Sequence, residues 1–212
     1  MVCLGRFSPG VSVPKKKSTL LDRVRRFASA IVKLFIRLLR WVWDLLHLLQ
    51  ARSRGRYQVK RVPDGDTLAV VDAKGDRINV RLAYIDTPEV AHNEAERKSR
   101  KLVYKSQFKW GDRAKDRLQD LVEAANNEVL LTLVDTDRYG RHVCEVRLAN
   151  GTFLQEVLVS EGLAQIYRQY IPKDCPSLPA LEAAEALAKR RRRGLWSDEK
   201  FIPAWEFRKL TK

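Results

Sequence analysis

A strand that is forced to stop constrains this chain more than any other feature. From Arg77 to Ile85, the apolar Ile78, Val80 and Leu82 alternate with Arg77, Asn79 and Arg81, the period of a strand with one buried face. Pro88 then withholds the amide that a further ladder bond would need, so Asp86 and Glu89 are expected at a strand's exit. A strand end holds charged groups at fixed separations, as a site for a charged substrate requires. The same residues also read as a plain helix start, with Thr87 as the cap and Pro88 in the first helical position.

Two strands are expected ahead of that stretch, Tyr57 to Val62 and Thr67 to Val71, and two behind it, Glu128 to Val134 and Arg141 to Leu148. Ala114, Leu118, Leu121, Val122 and Ala125 recur at helical spacing, Phe153 to Ser160 reads as a short helix, and Pro179 to Arg193 as a last one stopped by Gly194. Between Val90 and Trp110 the chain is polar and cation-rich, which suits either a solvated face or an arm that contacts phosphates. Five strands interleaved with about three helices, rather than alternating one to one with them, predict an α+β fold built on a small closed barrel capped by helices.

The N-terminal quarter follows different rules. Residues 1–19 carry Lys15-Lys16-Lys17 and no apolar period, and are read as a flexible basic arm. From residue 20 to residue 50 an apolar pattern is crossed by a polar stripe, Arg23, Arg26, Lys33, Arg37, Arg40, Asp44 and His47, which predicts one long amphipathic helix. Spanning a bilayer would bury Lys33, Arg37 and Arg40 at roughly 2.5–3.5 kcal/mol each. The expectation is therefore membrane association in the interface, with the basic stripe toward anionic headgroups and Trp41 and Trp43 at the boundary. The alternative is packing of the apolar face on the following domain or on a second copy of the chain. Residues 51–56 read as a linker, and residues 57–212 as the domain proper.

A formal net charge of +15 favours a polyanionic partner. Cys3, Cys144 and Cys175 lie far apart without paired spacing, which points away from a disulfide framework and from a zinc site. Three polar clusters remain. Asp64-Gly65-Asp66-Thr67 and Asp86 place carboxylates at neighbouring strand ends, oxygen donors suited to a hard divalent cation such as Ca²⁺ or Mg²⁺. Arg138-Tyr139-Gly140-Arg141 adds arginines at a third junction. Each cluster has a bland reading as a hairpin turn. Together they supply what phosphodiester hydrolysis needs: a cation on the phosphate, a carboxylate to activate water, and arginines for the charge that builds on phosphorus.

With those motifs in place, followed by Gly194-Leu195-Trp196 after the last helix, Tyr57 to Trp196 resembles the staphylococcal nuclease family. The resemblance implies a five-stranded OB-type barrel and Ca²⁺-dependent endonucleolytic cleavage of DNA, RNA or both. It assigns Asp66, Asp86 and the Thr87 carbonyl to the metal, Glu89 to the attacking water, and Arg81 and Arg141 to the phosphate. Tyr167 and Tyr170 fall in the region of substrate-contacting tyrosines, though with altered spacing, and Arg138 and Tyr139 are expected to flank the nucleotide. The segment 90–110 is longer than the family's usual loop. The rival reading is an OB-fold module that binds nucleic acid without cutting it.

Overall fold

Alternating burial curls five strands around one apolar interior. The computed structural model describes residues 55–211 and, ahead of them, Arg37 alone. The basic arm, the apolar helix of residues 20–50 and the membrane-binding or self-associating roles expected of it therefore fall outside the described residues. Among the described residues no helix is long and apolar enough to cross a membrane.

Strands β1 (Arg56–Asp64), β2 (Thr67–Val71), β3 (Arg77–Leu82), β5 (Glu128–Thr136) and β6 (His142–Arg147) close into a barrel in the order β1-β2-β3-β6-β5. Its neighbours are antiparallel except for β3 and β6, which run parallel. Val59, Leu68, Val80, Leu82, Val129 and Val146 fill the interior. The strand expected to run to Ile85 leaves the barrel after Leu82. Tyr84, in the left-handed region at φ 69°, turns the chain, and Ile85–Asp86 (β4) pairs instead with Gln165–Ile166 (β7) in a separate two-stranded sheet.

Helices α1 (Glu94–Arg97), α2 (Leu102–Glu123), α3 (Leu154–Ser160), α4 (Leu178–Arg190) and α5 (Ala204–Leu210) pack around the strands. Helix α2 departs most from the sequence expectation. The segment read as a polar arm up to Trp110 forms its first half, and the helix expected from Ala114 is only its second half. Composition misled because Ser106 and Gln107 are buried and hydrogen-bonded, while Lys101, Lys105 and Lys109 lie four residues apart on the exposed side. Helix α5 was not expected. Cys144 and Cys175 are buried and free.

Candidate active site

Strand register assembles the acidic core of the site. Thr67 lies opposite Arg81 across β2 and β3, and the Leu82 amide donates to the Asp66 carbonyl at 2.8 Å, which fixes the β1–β2 turn against the end of β3. Arg81 alternates with the buried Val80 and Leu82 and so projects away from the interior. Its guanidinium joins two carboxylates: one nitrogen pairs with Asp66, and the other donates to Asp86 Oδ1 at 2.6 Å. Both aspartates are almost wholly buried, at 1% and 2% exposure. The Thr87 amide donates to the remaining Asp66 oxygen at 3.1 Å, while the buried Thr87 hydroxyl has no partner.

Glu89 is carried to the same place by α2. A β-carbon on Gly111 would lie 2.1 Å from the Glu89 carbonyl oxygen, so only glycine lets the helix approach this loop. One turn earlier the Gln107 amide accepts from the Glu89 N–H at 3.3 Å. The Glu89 carboxylate then meets Arg208 of α5, which donates to Glu89 Oε1 at 2.5 Å and to Asp86 Oδ2 at 2.8 Å.

Four carboxylates, Asp64, Asp66, Asp86 and Glu89, thus share the surroundings of two guanidiniums, Arg81 and Arg208. Burial, with the charges of Asp66 and Glu89, pushes Asp64 up to about 7, against the opposing pull of the Gly65 N–H and Arg81. Burial and Asp66 also raise Asp86, while Arg81 and Arg208 hold it back. Desolvated acidic groups in excess of their counter-charges are a setting that a divalent cation relieves. The donors are all oxygens, so the chemistry fits a hard cation and not zinc. Among the described residues no three His, Cys, Asp or Glu side chains form a metal-binding group, so a cation here would draw on the Asp66–Asp86 pair and main-chain or water oxygens.

The other expected residues stand apart from this core. Arg141 donates through Nε to Asp137 Oδ2 at 2.7 Å within the β5–β6 loop, and it joins none of the four carboxylates. Arg138 donates to the Tyr139 hydroxyl at 2.8 Å and lies over its exposed ring. Tyr167 packs against Tyr170 and against Trp205 of α5, each with ring centroids 5.4 Å apart. Burial, Tyr170 and Asp86 raise the Tyr167 hydroxyl while Arg208 and Arg81 lower it, which puts that ring within electrostatic reach of the acidic core. Sequence reading missed the roles of Arg208, Gln107, Trp205 and Asp64. Asp64 lay inside a motif already singled out. Pro203 ahead of Ala204-Trp205-Glu206-Phe207-Arg208 is a helix-start signal, but no local pattern says that such a helix reaches residues more than 100 positions earlier.

A closed five-stranded barrel with helical caps, carrying carboxylates and arginines near its strand ends, defines an OB-type α+β protein. A family profile described as staphylococcal nuclease homologue matches residues 79–198, and the chain belongs to that family. It is 33% identical over 161 residues to an uncharacterized endonuclease of Escherichia coli O157:H7, covering 76% of this chain and 88% of the relative. It is also 33% identical over 165 residues to a micrococcal nuclease of Shigella flexneri, covering 74% and 82%. A staphylococcal-like nuclease of Arabidopsis thaliana is 32% identical over 133 residues, 63% of this chain but 34% of the relative.

Proposed function

We propose that this chain is a metal-dependent phosphodiesterase that cleaves nucleic acid chains internally. The observation that carries the reading is the meeting of Asp66 and Asp86 on Arg81 beside Glu89, in a chain whose relatives are named nucleases. Asp66, Asp86 and the Thr87 carbonyl would hold Ca²⁺, which when bound supplies neutralising charge for the phosphate and polarises it. Glu89, with 16% of its side chain exposed, takes a proton from the attacking water. The water oxygen bonds to phosphorus as the ester P–O bond breaks, and the leaving alkoxide takes up a proton. Arg81 faces the charge that develops on the phosphoryl oxygens. Arg141 joins it by exchanging Asp137 for phosphate, an ionic partner for an ionic partner. Tyr167 and Tyr170 offer faces for bases, Arg138 and Tyr139 flank the nucleotide, and a formal net charge of +15 draws the polyanion in.

The test is cleavage of DNA and RNA by the purified chain with Ca²⁺ or Mg²⁺ and with chelator. Metal-dependent internal cuts are expected. Equal cleavage in chelator would remove the cation from the reaction, and binding without cleavage under every cation would leave a nucleic-acid-binding barrel. The arginine-striped apolar sequence of residues 20–50 supports attachment to an anionic membrane surface, and deleting residues 1–50 is expected to move the protein from the membrane pellet to the supernatant without changing turnover.

A further inference from the structure

One guanidinium spans the two acidic groups that the proposed reaction must keep in register. We infer that Arg208 is a positioning residue, whose fork sets the Glu89 carboxylate at a fixed place relative to Asp86; the inference rests on the nuclease reading above. Nη2 donates to Asp86 Oδ2 at 2.8 Å and Nη1 to Glu89 Oε1 at 2.5 Å, so the planar group ties together side chains from either side of Pro88. A lone surface arginine would lose such a bond to solvent and rotamer entropy. Here the helix that carries it is anchored.

Phe207, one residue before Arg208, is buried and meets Tyr104 and Phe108 edge-on, with centroids 5.0 and 6.1 Å away. The fully buried Gln107 accepts from the Glu89 N–H and donates to the Ile202 carbonyl, joining the loop of the acid to the segment that leads into α5. Both ends of the Arg208–Glu89 pair are therefore referenced to one helix, α2. A contact formed only by chance between charges has no need of that shared support.

The full chain with Arg208→Ala, Arg208→Lys, Glu89→Gln and the double change Glu89→Gln/Arg208→Ala, assayed on a defined DNA strand with Ca²⁺, separates positioning from mere stability. Arg208→Ala is expected to lower kcat about tenfold or more with KM within about threefold. Lysine should recover only part of the loss, because an ammonium cannot span two carboxylates. In the Glu89→Gln background, removing Arg208 should cost less than about twofold. Full recovery by lysine, equal losses in both backgrounds, or a loss confined to KM would each overturn the inference. Calorimetric titration with Ca²⁺ alone gives a readout independent of turnover. Arg208→Ala, which frees an oxygen of Asp86 and removes a positive charge, should bind the cation at least about threefold more tightly. Unchanged affinity means Arg208 is not on Asp86 and defeats the proposal. A wild-type chain that never cuts while this affinity shift is present would instead defeat the nuclease reading and leave the Arg208 contact standing.

Discussion

The barrel mouth and the C-terminal segment 198–210 each bring an arginine to Asp86, and they do so by different physics. Arg81 is placed by the backbone: its strand is laddered on both sides, and the alternation of β3 leaves its side chain one direction to take. Arg208 is placed by side chains. Phe207 packs on Tyr104 and Phe108, Asp198 accepts from Trp110 Nε1 and the Ser106 hydroxyl at 3.0 Å each, and Gln107 holds Ile202. Ladder placement fails only when the fold fails. Placement by a few side-chain contacts can be released locally, so the C-terminal segment should be the part of the site that opens first.

The largest expected effect tests the barrel half. Leu82→Ala, at 1% exposure beside Arg81, should lower global stability by about 2–5 kcal/mol in urea unfolding and take activity down with it. Glu89→Gln should cost the reaction about 2.7–4 kcal/mol, roughly a hundredfold or more in kcat, with the melting temperature nearly unchanged. Melting that fell in step with activity would show that Glu89 is needed for the fold, and would erase the distinction between chemistry and placement there.

Two carboxylates sharpen the comparison further. Glu185 of α4 accepts from the Ile166 amide of β7 and from Lys189, and these bonds outweigh its burial and hold it below the usual glutamate value of 4.5. Its contribution is present above that value and is lost as pH falls through the lowered one. Glu185→Gln should therefore cost about 1.5–3 kcal/mol near neutrality, and the melting gap to wild type should close in acid. Asp198 obeys the same sign: burial would raise it, but the Trp110 N–H, the Lys200 N–H and the Ser106 hydroxyl lower it below 3.8. Asp198→Asn should cost about 1 kcal/mol, visible as faster hydrogen exchange in residues 204–210 with little change in the barrel. Equal exchange in both regions would mean that the segment and the barrel open together.

Much of the site was legible before any coordinates. Strand alternation placed Arg81 on the outer face of β3, but that strand ends at Leu82 and not at Pro88, so Asp86 lies in β4 and not at the expected exit; Asp64-Gly65-Asp66-Thr67 read as a turn that the β1–β2 hairpin contains. The expected grouping of Arg141 with the acids is not what the loop shows, since Asp137, four residues earlier, claims its guanidinium through a short-range contact. Helix α2 was half hidden because burial of Ser106 and Gln107 does not follow hydropathy when both are hydrogen-bonded.

The sequence by itself determined the five barrel strands, the order of the acidic and basic motifs, and the family, because periodicity and turn chemistry act over a few residues. Tertiary structure alone decided that β4 pairs with β7, that α2 starts at Leu102, and that Arg208 meets Asp86 and Glu89 across 122 and 119 residues. Such contacts depend on where separate elements dock, and docking is set by packing and by the pairing of buried polar groups, neither of which leaves a period in the chain.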